Sequence, residues 1–259
     1  MHYTNWISSI FEKFASYSFP LFLQKFINKT YVNLFDLNMS EFDTLESYSN
    51  LNALFMRSLI YPRSFDKEKN TMIAPCDSEI FCFGEVKDNL ALQIKGKEYK
   101  VSDFLKEELE GYSYTNFYLS PRDYHRFHAP CDLEVVKIRF ISGILLSVNE
   151  KSLQQNDAVF SKNKRVVLEC KDGFGNPFYF IAVGALNVGR IQINFYPDSC
   201  KINTDKEVVF EDSIKLKKGD EIGSFLMGST IVTFCKGWDF SLKEKEKILF
   251  GQLIAKHKE

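Results

Sequence analysis

Long apolar runs are missing from this sequence: no stretch reaches the roughly 18 apolar residues that a membrane-spanning helix needs. The nearest, Phe14 to Gln24, lies between Lys13 and Lys25 and is interrupted by Ser16, Ser18 and Pro20, so it does not span. Paired cysteines are missing as well. Six are present, at 76, 82, 131, 170, 200 and 235, but none forms a C-x-x-C pair. No charged start leads into an apolar run with a small-residue cleavage site. These absences argue against a disulfide framework or zinc knuckle, and for buried reduced thiols and a cytoplasmic setting. An excess of charge is also missing. With 33 Lys and Arg against 34 Asp and Glu the net charge is −1, which argues against a general nucleic-acid partner.

What is present is ordinary for a folded chain, with one bias. Hydrophobic residues make up 45% and charged residues 26%, so disorder does not fit. The bias is aromatic: 25 Phe among the 259 residues give much bulky apolar surface to bury or to place in lipid. In the first 30 residues Trp6, Ile7, Ile10, Phe11 and Phe14 recur at helical spacing. Pro20 then opens a second apolar segment through Leu21, Phe22, Leu23, Phe26 and Ile27. Lys13, Lys25 and Lys29 outnumber Glu12 there, which suits an anionic bilayer interface. Periodicity alone fits equally well a pair of helices packed on the domain's own core.

A helical pattern continues from Glu41 to Leu59 through Leu45, Tyr48, Leu51, Leu54, Phe55 and Leu59. From Ile73 onward short β-prone runs alternate with turns. Arg165 to Cys170, the turn Asp172 to Pro177 and Phe178 to Val183 read as a hairpin, and Lys217 to Asp220 reads as a turn. Glu221 to Met227 and Ile231 to Cys235 read as strands, and the Lys-rich Lys236 to Lys247 as a solvated loop or tail. The expected class is α+β: N-terminal amphipathic helices over residues 1–62, then a mainly antiparallel β-sandwich-like domain over 63–259. An internal echo favours the β reading, since Ala74-Pro-Cys-Asp-Ser-Glu-Ile80 parallels Ala129-Pro-Cys-Asp-Leu-Glu-Val135.

Two groups of residues stand out chemically. His125 and His128 lie in Tyr118-Leu-Ser-Pro-Arg-Asp-Tyr-His-Arg-Phe-His-Ala-Pro130. Three residues apart, they read as a metal pair lacking a third ligand, as a general base oriented by a carboxylate, or as hydrogen-bonded loop histidines. Gly228-Ser229-Thr230 falls between two strand-like runs, where a tight turn would expose the serine hydroxyl. A glycine before that serine leaves its carbonyl open to attack and tolerates strain.

The ordered combination is more specific than its parts. Arg57-Ser-Leu, Ala74-Pro-Cys-Asp77, Tyr118 to Pro130, Val183-Gly-Ala-Leu-Asn-Val-Gly-Arg-Ile191, Lys218 to Gly223 and Phe225-Leu-Met-Gly-Ser-Thr230 follow one another through most of the chain. In these stretches the sequence resembles the phosphatidylserine decarboxylase proenzyme family, in the bacterial form processed at L-G-S-T. Two departures are Met227 for the usual Leu, and Ser78-Glu79 for the usual Gly after Asp77.

The resemblance implies that Asp77, His128 and Ser229 carry out self-cleavage between Gly228 and Ser229. The products would be a β chain of residues 1–228 and an α chain of residues 229–259, held together as a heterodimer, with further oligomerisation left open. Ser229 would become a covalent pyruvoyl cofactor that forms a Schiff base with phosphatidylserine and yields phosphatidylethanolamine. His125 would serve the second stage as proton donor or positioning group. For the lipid, Arg122, Arg126 and Arg190 are the candidate phosphate ligands, with Phe127 and Phe225 as apolar surround and no metal. The expected setting is peripheral, on the cytoplasmic face of an anionic membrane.

Three rival readings compete. A soluble amino-acid substrate gives no reason for the aromatic N-terminus. A lipoyl-type carrier needs a Met-Lys dipeptide that the sequence lacks. An inactive relative would not be expected to keep Asp77, His128 and Ser229 together.

Overall fold

The structure, a computed structural model, describes residues 3–94, 96–186, 190–226 and 229–258, leaving the side chains of 3–9 and 94 undescribed. The side chains of Trp6 and Ile7 in the N-terminal apolar pattern, and Gly228 of the expected cleavage bond, therefore lie outside what is described.

The two N-terminal helices form where the periodicity places them, as α1 (Tyr3–Ser16) and α2 (Leu21–Phe35). Pro20 separates them, and its carbonyl accepts the Leu23 and Gln24 N–H groups to start α2. α2 is built inside out. Gln24, Asn28 and Tyr31 are buried, while Leu21 (72%), Phe22 (78%), Phe26 (67%) and Leu34 (72%) face solvent. The inward polar groups are satisfied: Gln24 Nε2 donates to Asn28 Oδ1 (2.8 Å), and Asn28 Nδ2 donates to the carbonyls of Leu45 and Tyr48 (3.0 Å each).

Those last bonds explain where the continuous helix expected over 41–59 gives way. Asn28 takes the carbonyls of Leu45 and Tyr48, and Asn50 starts a new helix by accepting the Ala53 N–H at 2.9 Å. The result is a 3₁₀ turn over Leu45–Ser47 and a short α3 (Leu51–Phe55). Ala15, Tyr31, Leu37, Tyr48, Leu51, Leu54 and Phe55 make a helical core of their own.

The rest is β-rich. In chain order the strands are β1 (Thr71–Ile73), β2 (Ser78–Glu85), β3 (Leu90–Ile94), β4 (Lys97–Lys100), β5 (Ser113–Leu119), β6 (Arg126–His128), β7 (Leu133–Ile141) and β8 (Arg165–Asp172). They continue as β9 (Pro177–Val183), β10 (Ile191–Ile193), β11 (Lys206–Leu216), β12 (Glu221–Phe225), β13 (Ser229–Cys235), β14 (Trp238–Phe240), β15 (Lys247–Ile248) and β16 (Leu253–His257). Eight of them form one antiparallel sheet in the order β11-β7-β8-β9-β13-β5-β2-β15, so the α+β expectation holds. Charged β11 solvates one edge. Central β13 is buried along its whole length between β5 and β9. The expected solvated tail over 236–247 is partly wrong. Trp238 is buried in β14, its Nε1 donating to Asp172 Oδ2 (2.9 Å), an apolar anchor hidden among lysines.

Register fixes where chemistry can occur. Ser229 opens β13 opposite Leu119, Thr230 faces both Tyr118 and Val183, and Glu79 faces Tyr118. The starts of β2 and β13 and the ends of β5 and β9 therefore meet at one end of the sheet. At roughly 4.8 Å per strand, the backbones of β2 and β13 are about 10 Å apart there. The two Ala-Pro-Cys-Asp segments cross beside this end: Ile73 N–H donates to Pro130 O (2.9 Å) and His128 N–H to Pro75 O (2.8 Å). A small sheet, β10-β12-β6, carries His128. It depends on Gly223, where a Cβ would lie 1.9 Å from Gln192 O.

Candidate active site

Ser229 is not displayed on a turn, as its tripeptide suggested. As the first residue of β13 it is fully buried, and its Oγ has no hydrogen-bond partner. Pairing with β5 holds the backbone in the ladder, so the hydroxyl points into protein rather than solvent. An unpartnered buried hydroxyl carries a desolvation cost of about 1–3 kcal/mol and calls for a reason. Ser78 and Thr230, at the same sheet end, likewise have buried hydroxyls without partners.

His128 ends β6 and is held on three sides. Its Nδ1 donates to Gly219 O (2.9 Å), which can only accept, so Nε2 carries the lone pair and accepts from the Tyr124 hydroxyl (3.2 Å). The Phe250 ring stacks on the imidazole at 3.7 Å and 13°. Gly219 has φ +88°, and a Cβ there would meet the Phe65 ring at 2.3 Å, so only glycine presents that carbonyl. Burial pushes His128 below its ordinary value, against the opposing hydrogen bond to Gly219 and the charges of Glu221 and Asp77. The shift favours the neutral ring, whose Nε2 lone pair faces the Tyr124 hydroxyl.

Asp77 sits just before β2, and its carboxylate makes no hydrogen bond to His128. It accepts both ends of the Arg63 fork, at 2.5 and 3.0 Å, and the Phe250 N–H at 2.8 Å. Asp77, His128 and Ser229 thus share one region, but none is hydrogen-bonded to another. Asp77 acts on the imidazole through its charge and through Phe250, whose amide it holds and whose ring covers His128.

His125 is completely buried. Its Nδ1 donates to Asp123 O (2.7 Å), the Phe55 ring lies 3.9 Å away, and Nε2 has no partner. Burial first, and the Arg57 charge second, push this imidazole down to about 3, while the bond to Asp123 works the other way. The Asp123 carboxylate closes the preceding turn by accepting the Ser120 N–H and hydroxyl, at 2.6 and 2.7 Å. Phe225 N–H donates to His125 O (3.0 Å), tying this loop to the strand that leads toward Ser229.

The expected lipid contacts separate into different roles. Arg126 is committed within the protein, with Nε and Nη2 on Met56 O (3.0 and 2.9 Å) and Nη1 on Glu221 (2.9 Å). Arg190 pairs with Glu12 of α1. Arg122 is exposed and, among the described residues, makes no ion pair. Phe127 and Phe225 are core residues packed on each other at 4.8 Å between ring centroids. The described residues contain no cluster of three His, Cys, Asp or Glu side chains suited to a metal.

Sequence reasoning missed Tyr124, Arg63, Phe250, Phe55 and the structural part of Arg57. Tyr124 lay inside the long His motif and Arg57 inside Arg-Ser-Leu, so both had a signal. Arg57 is buried, and its Nη2 donates to the carbonyls of Arg122 (2.8 Å) and Asp123 (3.1 Å), bracing the loop that carries His125.

A family model described as phosphatidylserine decarboxylase matches residues 51–256. The phosphatidylserine decarboxylase proenzyme of Helicobacter pylori (strain J99) is 45% identical over 258 residues, 97% of each chain. That of Campylobacter jejuni is 39% identical over 272 residues, covering 98% of this chain and 100% of the relative. The mitochondrial proenzyme of Rattus norvegicus is 33% identical over 279 residues, 91% of this chain and 68% of its own. The chain belongs to the phosphatidylserine decarboxylase family.

Proposed function

We propose that this chain cleaves itself between Gly228 and Ser229 and then decarboxylates phosphatidylserine at a membrane surface. The observation that carries the reading is the Ser229 hydroxyl, buried and without a partner at the start of β13, in a fold that also buries His125 and His128 and pushes both imidazoles below their ordinary value.

In the first stage the Ser229 proton passes to His128 Nε2, displacing the Tyr124 hydroxyl from it. The freed oxygen attacks the carbonyl of residue 228 and moves the acyl group from nitrogen to oxygen. Elimination releases residue 228 as a carboxylate. Hydrolysis of the resulting dehydroalanine, with loss of ammonia, leaves a pyruvoyl group at position 229 on the short chain. Asp77 supports this stage by fixing Phe250 over the imidazole and by the field of its charge.

The pyruvoyl group supplies an electrophilic carbonyl and an electron sink. The remaining work falls to residues already in place. His125 Nε2, buried and without a partner, accepts an N–H of the substrate amine and so orients it, the positioning role open to an imidazole this weakly basic. Phe55 keeps that side of the site apolar, which disfavours a localised carboxylate charge more than the dispersed charge of the transition state. Arg122, exposed and without an ion pair among the described residues, is the cation free to meet a lipid phosphate.

The inside-out helix α2 supports a membrane surface. A helix that buries Gln24 and Asn28 while exposing Leu21, Phe22, Phe26 and Leu34 presents a large apolar patch that water does not favour. Tyr17, Ile60 and Tyr61 are also exposed. No helix among the described residues is long and apolar enough to cross a membrane, so residues 1–62 are read as lying on the bilayer. Vesicles of phosphatidylserine test the whole reading. Wild type is expected to release CO2 and form phosphatidylethanolamine, and Ser229→Ala to do neither. Turnover by Ser229→Ala would overturn it.

A further inference from the structure

Arg63 lies between two carboxylates. Its Nε and Nη2 donate to Glu41 (2.9 and 2.7 Å), and its Nη1 and Nη2 donate to Asp77 (2.5 and 3.0 Å). The Glu41 end of this chain of charges is open to solvent and the Asp77 end is buried. Glu41 is itself anchored: its carbonyl accepts the Ile60 N–H (3.0 Å), and Phe42 bridges to Leu59. The Arg63 guanidinium also lies 5.9 Å from the centre of the Tyr124 ring, the phenol on His128 Nε2.

The connection continues inward. Asp77 holds the Phe250 amide, and the Phe250 ring covers His128. A line of contacts therefore runs from Glu41 through Arg63, Asp77 and Phe250 to the imidazole. A planar two-ended fork is suited to this task, because it fixes the plane of a carboxylate as well as neutralising it. Lysine neutralises without fixing the plane.

We propose that Arg63, anchored by Glu41, is a positioning residue for self-cleavage: it sets the Asp77 carboxylate that holds Phe250 against His128. This rests on the self-cleavage reading above. It makes the segment from Glu41 to Arg63 part of the processing machinery and not only the end of a membrane anchor.

The test follows conversion of the full-length chain into two fragments, by mass, in Arg63→Gln, Arg63→Lys and Arg63→Ala, with melting curves to confirm folding. Arg63→Gln is expected to slow processing on the order of 10- to 100-fold, the usual result of misplacing a reacting group by about an ångström. Arg63→Lys should fall between Arg63→Gln and wild type. Millimolar guanidinium should accelerate Arg63→Ala, where the same concentration of sodium chloride does not. Folded Arg63→Gln processing at the wild-type rate overturns the inference. So does slowing shared equally by all three variants and untouched by guanidinium, which marks a purely structural arginine. If Arg63→Gln does not fold, Arg63→Lys decides, and a wild-type rate there overturns the inference. A wild-type chain that stays whole overturns the self-cleavage reading itself.

Discussion

Lowering the pH should destabilise this protein through His125, and the size of the effect follows from its surroundings. The imidazole is neutral in the fold, held down to about 3 by burial and by Arg57, against an ordinary value of 6.5. A group whose folded pKa is depressed contributes stability above its unfolded pKa and loses it as pH falls toward the folded value. The window here runs from about pH 6.5 down to about 3. Between pH 8 and pH 5 the unfolded chain gains a proton at this position and the folded chain does not, a loss of about 2 kcal/mol. That figure is set by the unfolded value, so it holds wherever the folded value lies well below pH 5. His128 is displaced in the same direction, whereas burial raises the Asp123 carboxylate and opposes the trend at the acid end. A direct subtraction removes both. In a Ser229→Ala background, which stays one chain, His125→Asn keeps a donor for Asp123 O but does not titrate. Urea unfolding followed by circular dichroism at pH 8 and pH 5 should show the background losing about 2 kcal/mol more than the His125→Asn variant. Equal losses in the two proteins would refute the reasoning.

Other outcomes follow from single contacts. Replacing Phe22 and Phe26 together with Glu leaves inward Gln24 and Asn28 in place, so melting should change little while flotation with anionic vesicles is lost; undiminished flotation would remove α2 as the anchor. Asn28→Leu strands the carbonyls of Leu45 and Tyr48, and denaturant titration should show a loss of about 2–4 kcal/mol, whereas a neutral change would contradict that account of α2. Gly223→Ala drives a methyl into Gln192 O, and the same titration should show a loss of about 2–3 kcal/mol.

The sequence carried the parts of this structure that depend on local pattern. The hairpin of β8 and β9 turns where Asp172 and its glycines were read. Asp172 Oδ1 accepts the Phe174 and Asn176 N–H groups, at 2.9 and 2.8 Å, a turn device written into neighbouring residues. Pro20 likewise marked the break between α1 and α2. What was illegible depends on partners far along the chain. Asn28 cuts short the pattern from Glu41 to Leu59 from about twenty residues away. Asp77 drew attention as a partner for His128, yet its bonds go to Arg63 and Phe250, neither of which stood out in the sequence. The burial of Ser229 follows from its pairing with Leu119, a register that the Gly-Ser-Thr tripeptide does not encode.

The central claim is that Ser229 ends as the blocked terminus of a new chain, and intact mass spectrometry of the purified wild type reads this directly. The account predicts two species, residues 1–228 and residues 229–259, the shorter bearing a pyruvoyl group in place of its first serine, with Ser229→Ala remaining whole. A single uncleaved wild-type chain, or a short chain that begins with an unmodified serine, would contradict it.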